Sequence, residues 1–152
     1  YFVGRSIDQG TIKYLNAKVS KSEIVFNEID IDWTQPVVLV EGVFDAIKSV
    51  ANTIPILGST FAQSSFLYKQ LMRMQSDVII SLDPDLKSKA LKIAKSLAQA
   101  GCQVRVCFTK EGIDMGDSSK EENKKMLSNA KIFTPYYHLT HKINSIRSGS
   151  II

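Results

Sequence analysis

Four apolar runs, at residues 37–40, 54–57, 78–82 and 104–108, are separated by segments whose apolar residues recur at helical spacing. That alternation constrains the fold more than any other feature of the chain. Strands that alternate with helices form a parallel sheet covered on both faces, and doubly covered strands read as continuous apolar stretches. Val43, Ile47 and Val50 follow the first run with helical periodicity. Phe66, Leu67, Leu71 and Met74 do the same within residues 61–74, as do Ala90, Ile93, Ala94 and Leu97 after the third run, with Gly101 as a stop. Ser118 and Glu121 have capping-box spacing and open a helix expected to reach about Asn129. Residues 36–130 are therefore expected to form an α/β domain whose parallel sheet has four strands or more, flanked by helices.

The flanks read differently. Residues 1–35 suggest a small α+β appendage with short strands at 2–7 and 24–29, joined by a polar, lysine-bearing connection over 10–22. Residues 131–152 are weakly patterned, with 132–134 adding one strand, and are expected to be a C-terminal extension or truncated linker. The start at Tyr1 suggests a piece of a longer protein. At 152 residues, 44% hydrophobic and 22% charged, the chain has the composition of a globular domain with one sizeable core. No apolar run approaches the roughly 18 residues of a membrane span, and no signal-peptide pattern opens the chain. Cys102 and Cys107 are an odd number of positions apart, hence on opposite faces of a strand, which predicts free thiols in a reducing, intracellular setting. His138 and His141 lack Cys or Asp partners and read as surface residues, not metal ligands.

Three acidic clusters end the strand-like stretches: Glu41 with Asp45, Asp83 with Asp85, and Asp114 with Asp117. In open α/β sheets ligands bind beyond the carboxyl ends of the strands, which is where these acids fall. Carboxylates at adjacent strand ends repel by roughly 4 kcal/mol per close pair at an effective dielectric near 20, so a cation is expected between them. Mg2+ or Mn2+ suits such oxygen donors, and its usual work on phosphates makes phosphoryl transfer the expected chemistry. The competing reading is helix capping, since Asp85 and Asp117 precede helices. Lys and Arg number 19 against 15 acids, a net charge of +4, and Lys87, Lys89, Lys92 and Lys95 form a basic rim suited to a phosphate-bearing ligand. Lys87 and Lys89 lie near a helix N-terminus, unfavourable for cations unless an anion such as a triphosphate binds there.

The segments Val40-Glu41-Gly42-Val43-Phe44-Asp45, Leu57-Gly58-Ser59-Thr60, Leu82-Asp83-Pro84-Asp85 and Glu111-Gly112-Ile113-Asp114 resemble, in order and strand context, the successive motifs of the Toprim domain of bacterial DnaG-type and phage primases. Upstream, Gly4-Arg5-Ser6-Ile7 and Lys13-Tyr14-Leu15-Asn16 are similar to motifs that precede Toprim in the primase catalytic core. The resemblance covers about residues 1–130 and implies a Toprim fold. It implies that Glu41 lies nearest the chemistry, that Asp83 and Asp85 coordinate Mg2+ or Mn2+, and that Asp45, Asp114 and Asp117 complete the acidic site. Arg5, Lys13, Tyr14 and Asn16 would belong to a basic surface touching template or incoming nucleotide. The implied activity is RNA primer synthesis on a single-stranded DNA template from ribonucleoside triphosphates, in DNA replication. It would occur at replication forks in the cytoplasm of a bacterial or phage-infected cell, with a replicative helicase met through parts outside this chain.

Three departures qualify the match. Pro84 stands where the primase pattern usually has Gly, Ile113 replaces a common lysine, and Asp114-Met115-Gly116-Asp117 is closer to phage forms than to the bacterial Asp-Pro-Asp. The chain contains neither a Cys-x-x-Cys pair of a zinc ribbon nor a Gly-Lys-Ser/Thr phosphate loop. A Toprim metal-dependent nuclease, and a nonenzymatic nucleic-acid-binding module, remain the two alternatives.

Overall fold

The computed structural model describes residues 1–7, 14–58, 61–108, 115–116, 118–147 and 149. A five-stranded sheet has the order β4-β3-β5-β6-β7, formed by β3 (Val37–Val40), β4 (Thr53–Pro55), β5 (Asp77–Leu82), β6 (Gln103–Phe108) and β7 (Lys131–Ile132). The first four are mutually parallel, and β7 pairs antiparallel with β6. A separate antiparallel hairpin joins β1 (Val3–Arg5) to β2 (Tyr14–Asn16). The expected α/β class is the observed one, a mostly parallel sheet flanked by helices.

Alternation along the strands splits the core in two. Val37, Leu39, Val78, Ile80, Val104 and Val106 point to the face covered by α2 (Phe66–Met74) and α3 (Lys87–Gln99), where they meet Leu67, Leu71, Ala94 and Leu97. Val38, Val40, Ile79 and Cys107 point to the other face, against Ala46 of α1 (Val43–Lys48) and Leu127 of α4 (Lys120–Ser128). Leu39, Ile54, Ile80 and Leu97 are wholly buried, each contributing about 1.5–3 kcal/mol of transfer free energy. Cys102 and Cys107 are buried free thiols in the two different cores, as their spacing predicts.

Local differences from the sequence expectations have identifiable causes. Residues 24–29 form no strand: Asn27 takes a left-handed φ of 56° between two 3-10 turns, Lys21–Glu23 and Glu28–Asp30, and only Val25 is buried. The helix expected from Phe61 starts at Phe66, because Ser65 accepts a hydrogen bond from the Tyr68 amide and fixes the N-cap. The capping box is Ser119 with Glu122, one residue beyond the predicted pair; the Ser119 amide donates to Glu122 Oε2 at 2.8 Å. After β7 the chain forms α5 (Pro135–Arg147), whose Tyr137 packs on the α3 side of the core together with Phe133 just before it. His138 and His141 are therefore half-buried in an aromatic cluster, not fully exposed. Their rings lie 5.8 Å from Phe133 and 4.8 Å from Tyr137 respectively.

Two stability predictions arise here. Asn52, at φ 63°, accepts from the Asp32 amide at 2.8 Å and donates to the carbonyls of Asp32 and Pro36, fastening the approach to β3 onto the start of β4. Asn52→Ala loses these bonds and disfavours the left-handed backbone, so chemical denaturation should show a loss of about 2 kcal/mol, with Asn52→Gly losing less. Burial, then Lys142 and Lys95, hold His138 below the usual histidine range; burial, then Lys87 and His138, do so for His141. The unfolded chain thus binds more protons below about pH 6.5, so stability falls as pH drops from 7 toward 5. Melting curves across that range should show this, and His138→Asn with His141→Gln should flatten it.

Candidate functional site

The strand order places a topological switch between β3 and β5. From β3 the chain leaves through α1 on one face toward β4; from β5 it leaves through α3 on the opposite face toward β6. Helices departing in opposite directions open a crevice at the carboxyl ends of those two strands. Glu41 and Asp83 sit there. Leu39 and Ile80 are the last pair between β3 and β5; Glu41 lies two positions beyond it and Asp83 three, so the two acids leave neighbouring strands almost in register.

The β1-β2 hairpin closes one side of this crevice. Arg5, Tyr14, Asn16, Lys21, Glu41, Phe44 and Asp45 line a cleft of about 360 Å3, with Leu57 and Gly58 at the end of β4. Arg5 holds the hairpin against α1: its guanidinium carbon is 5.7 Å from the Tyr14 ring centroid and 5.9 Å from that of Phe44, while the two rings are 6.3 Å apart. Such cation–π contacts are worth about 0.5–2 kcal/mol each and leave the guanidinium edge available to an anion. Leu57 is buried at φ 56°, a conformation an L side chain adopts at a cost of about 1–3 kcal/mol, and it sits in the cleft wall.

The remaining site residues have distinct surroundings. Asp45 Oδ2 accepts from the Gly42 amide at 2.9 Å and so caps α1; a Cβ on Gly42 would lie 2.9 Å from that oxygen and displace the Asp45 carboxylate. Asp83 precedes a 3-10 turn, Pro84–Leu86, with Pro84 at its favoured first position; the turn leaves Asp85 exposed beside the half-buried Asp83. Lys89 donates to the Gly58 carbonyl at 2.8 Å; burial pushes its ammonium down, and the charge of Glu41 pulls it back up. Lys87 reaches over Phe108, 5.2 Å from its ring centroid. The α3 N-terminus has no side-chain cap and no acid in its first turn. Lys13, Asp114 and Asp117 lie outside the described residues.

The hairpin residues Arg5, Tyr14 and Asn16 thus come together with Glu41 and Asp45 in one cleft, while Asp83 and Asp85 follow the neighbouring strand β5 and do not line it. Among the described residues no three His, Cys, Asp or Glu side chains gather closely enough to hold a metal ion. The donor set still fits Mg2+ or Mn2+, since Mg2+ commonly takes one or two carboxylates and fills its remaining positions with water and substrate phosphates. Phe44 and Lys21 escaped the sequence reading. The signals were an aromatic beside an acidic motif and a lysine-bearing connector, but their convergence depends on how the hairpin docks.

No protein-family profile and no curated protein sequence matches the chain. Solved structures do. The zinc-binding and RNA polymerase domains of Aquifex aeolicus primase superpose with a TM-score of 0.71 at 22% identity, over 96% of this chain and 42% of that one. The RNA polymerase domain of Mycobacterium tuberculosis primase DnaG gives 0.66 at 17% identity, over 97% and 56%; that domain is also known in complex with double-stranded DNA. A DNA primase domain from Pseudomonas aeruginosa gives 0.65 at 18%, over 93% and 50%. The chain spans about half the length of these structures. Its fold is that of the DnaG-type primase core.

Proposed function

We propose that this chain is the catalytic core of a DnaG-like primase, phage-encoded in type, that joins ribonucleotides on single-stranded DNA in DNA replication. The observation that carries the reading is the convergence of Arg5, Tyr14 and Asn16 with Glu41 in one cleft at the carboxyl end of β3. A nucleotide-joining site needs a carboxylate end for the reacting phosphate and a cationic, aromatic wall for nucleic acid, and both occur within this cleft and its rim.

Glu41, Asp83 and Asp85 would hold Mg2+ or Mn2+, with Asp45, Asp114 and Asp117 completing the acidic rim. When bound, the ion neutralises phosphate charge and assists the attacking hydroxyl and leaving pyrophosphate. The chain's own groups do the rest. Glu41, beside the Lys89 ammonium, accepts the proton of the primer 3′ hydroxyl as that oxygen attacks the α-phosphate of the next nucleotide. Arg5, with Lys13 and Lys21, binds phosphates; Tyr14 and Phe44 offer rings for base stacking, and Asn16 a side-chain amide. Lys87 and Lys89, at the uncapped start of α3, face the triphosphate end. Partners in this reading are the template strand, ribonucleoside triphosphates, the RNA primer and, through parts beyond this chain, a replicative helicase. Its setting is the cytoplasm at a replication fork. No helix among the described residues is long and apolar enough to cross a membrane.

Incubation with single-stranded DNA, Mg2+ or Mn2+ and labelled ribonucleotides tests the assignment. Template-dependent oligoribonucleotides are the expected product. Strand cleavage without synthesis would establish the nuclease instead, and DNA binding with no metal-dependent chemistry would establish a binding module.

A further inference from the structure

A second cationic feature lies away from the cleft, in the groove between α3 and α5. Lys92, Lys95 and Lys142 are exposed along it, His138 forms its wall, and Ser88 stands at the end nearest the acidic loops. The groove continues past Lys95 and His138 toward Gln99, where Phe133, Pro135 and Leu139 join Lys95 and Lys142 in its lining. Ser88 to Gln99 is 12 residues of helix, about 16 Å from end to end, long enough for several consecutive phosphates.

The charges in this groove are not compensated. Among the described residues none of the three lysines has a carboxylate partner; the recorded ion pair, Arg105 to Asp77, is elsewhere. Lys95 and Lys142 are close enough to His138 to oppose its protonation. The buried Nδ1 of His138 also has no hydrogen-bond partner. Like charges held together cost free energy that a bound anion offsets. The aromatic end distinguishes the kind of anion: the Phe133 and His138 rings, 5.8 Å apart, offer a stacking surface beside the lysine row. A basic track with an aromatic platform is how proteins hold single-stranded nucleic acid without reading its sequence.

We propose that the α3-α5 groove is a second, sequence-independent binding track for single-stranded nucleic acid, with Lys92, Lys95 and Lys142 on its phosphates and Phe133 with His138 under a base. The groove starts at the same end of α3 as Lys87, so it extends the strand's path away from the acidic site. This rests on the nucleic-acid reading of the cleft.

The test is the fluorescence anisotropy of labelled (dT)20 titrated with the chain between 50 and 200 mM NaCl. Lys92→Ala/Lys95→Ala/Lys142→Ala should bind at least about tenfold more weakly at 100 mM. Its log–log salt slope should be shallower by about 2, three contacts at roughly 0.7 each. The three positions are exposed, so the triple alanine variant should melt no lower than the unaltered chain, and the corresponding triple arginine variant should restore affinity. Phe133→Leu should weaken binding about fivefold with no change in slope. Unchanged affinity and slope in the triple alanine variant would overturn the proposal. So would displacement of the oligonucleotide by poly-glutamate of equal charge as readily as by unlabelled (dT)20, which would point to an acidic protein partner. The two readings fail separately: weakened binding in a chain that makes no oligoribonucleotides leaves the track standing without the catalytic assignment. Active synthesis with unweakened binding removes the track alone.

Discussion

Asp83→Asn is expected to lower metal-dependent ribonucleotide incorporation by at least about 10^3-fold, with circular dichroism and melting temperature unchanged. The separation of activity from stability follows from its position. Asp83 stands just before the 3-10 turn Pro84–Leu86 and makes no side-chain cap, and asparagine has the same shape and is equally suited to a cap position. What the substitution removes is one negative charge and one strong oxygen donor at the strand end, next to Glu41 on β3. Asparagine keeps the size and an acceptor oxygen of the side chain, so the fold is expected to persist. Glu41→Gln should lose activity to a similar extent, with some loss of stability because the half-buried Lys89 ammonium then lacks its neighbouring charge. Synthesis at wild-type rates by either variant would remove the acidic pair from the chemistry.

The second large effect is expected at Arg5. Arg5→Ala should raise the KM for nucleotide or template about 10- to 100-fold while kcat falls much less, because the lost interaction is made in the ground state and the transition state alike. The side chain has two tasks: it packs on Tyr14 and Phe44, fixing the hairpin to α1, and it offers its fork to phosphate. Arg5→Leu keeps apolar bulk between the rings and loses the fork. Arg5→Lys keeps the charge but loses the planar stacking and paired donors. If phosphate binding is the task, Arg5→Leu should be as impaired as Arg5→Ala and Arg5→Lys intermediate. Near-normal kinetics for Arg5→Leu would reduce Arg5 to a packing residue.

What the sequence showed, and what it hid, follows from where side chains are buried. Residues 37–40, 78–82 and 104–108 were legible as strands because helices cover both sheet faces and every such strand is apolar along its length. Glu41 and Asp83 were legible as strand-end acids for the same reason. By contrast, α5 buries none of its residues completely and leaves Tyr136, Leu139 and Ile146 exposed, so no apolar stripe announced it. Ile24-Val25-Phe26 has the composition of a strand, yet Asn27 turns the backbone and only Val25 reaches the core. At the site, Asp83 and Asp85 read as an equivalent pair, but the Pro84 turn gives them unequal exposure. Phe44 and Lys21 acquire a role only through contact with a hairpin far from them in sequence, which no local pattern encodes.

Anomalous diffraction from crystals of the chain soaked with Mn2+ and a ribonucleoside triphosphate tests the central claim most directly. The account predicts manganese peaks between the Glu41 and Asp83 carboxylates, with Asp85 alongside, and the nucleotide lying toward Arg5 and Tyr14. Manganese bound elsewhere, or nucleotide bound away from that cleft, would contradict it.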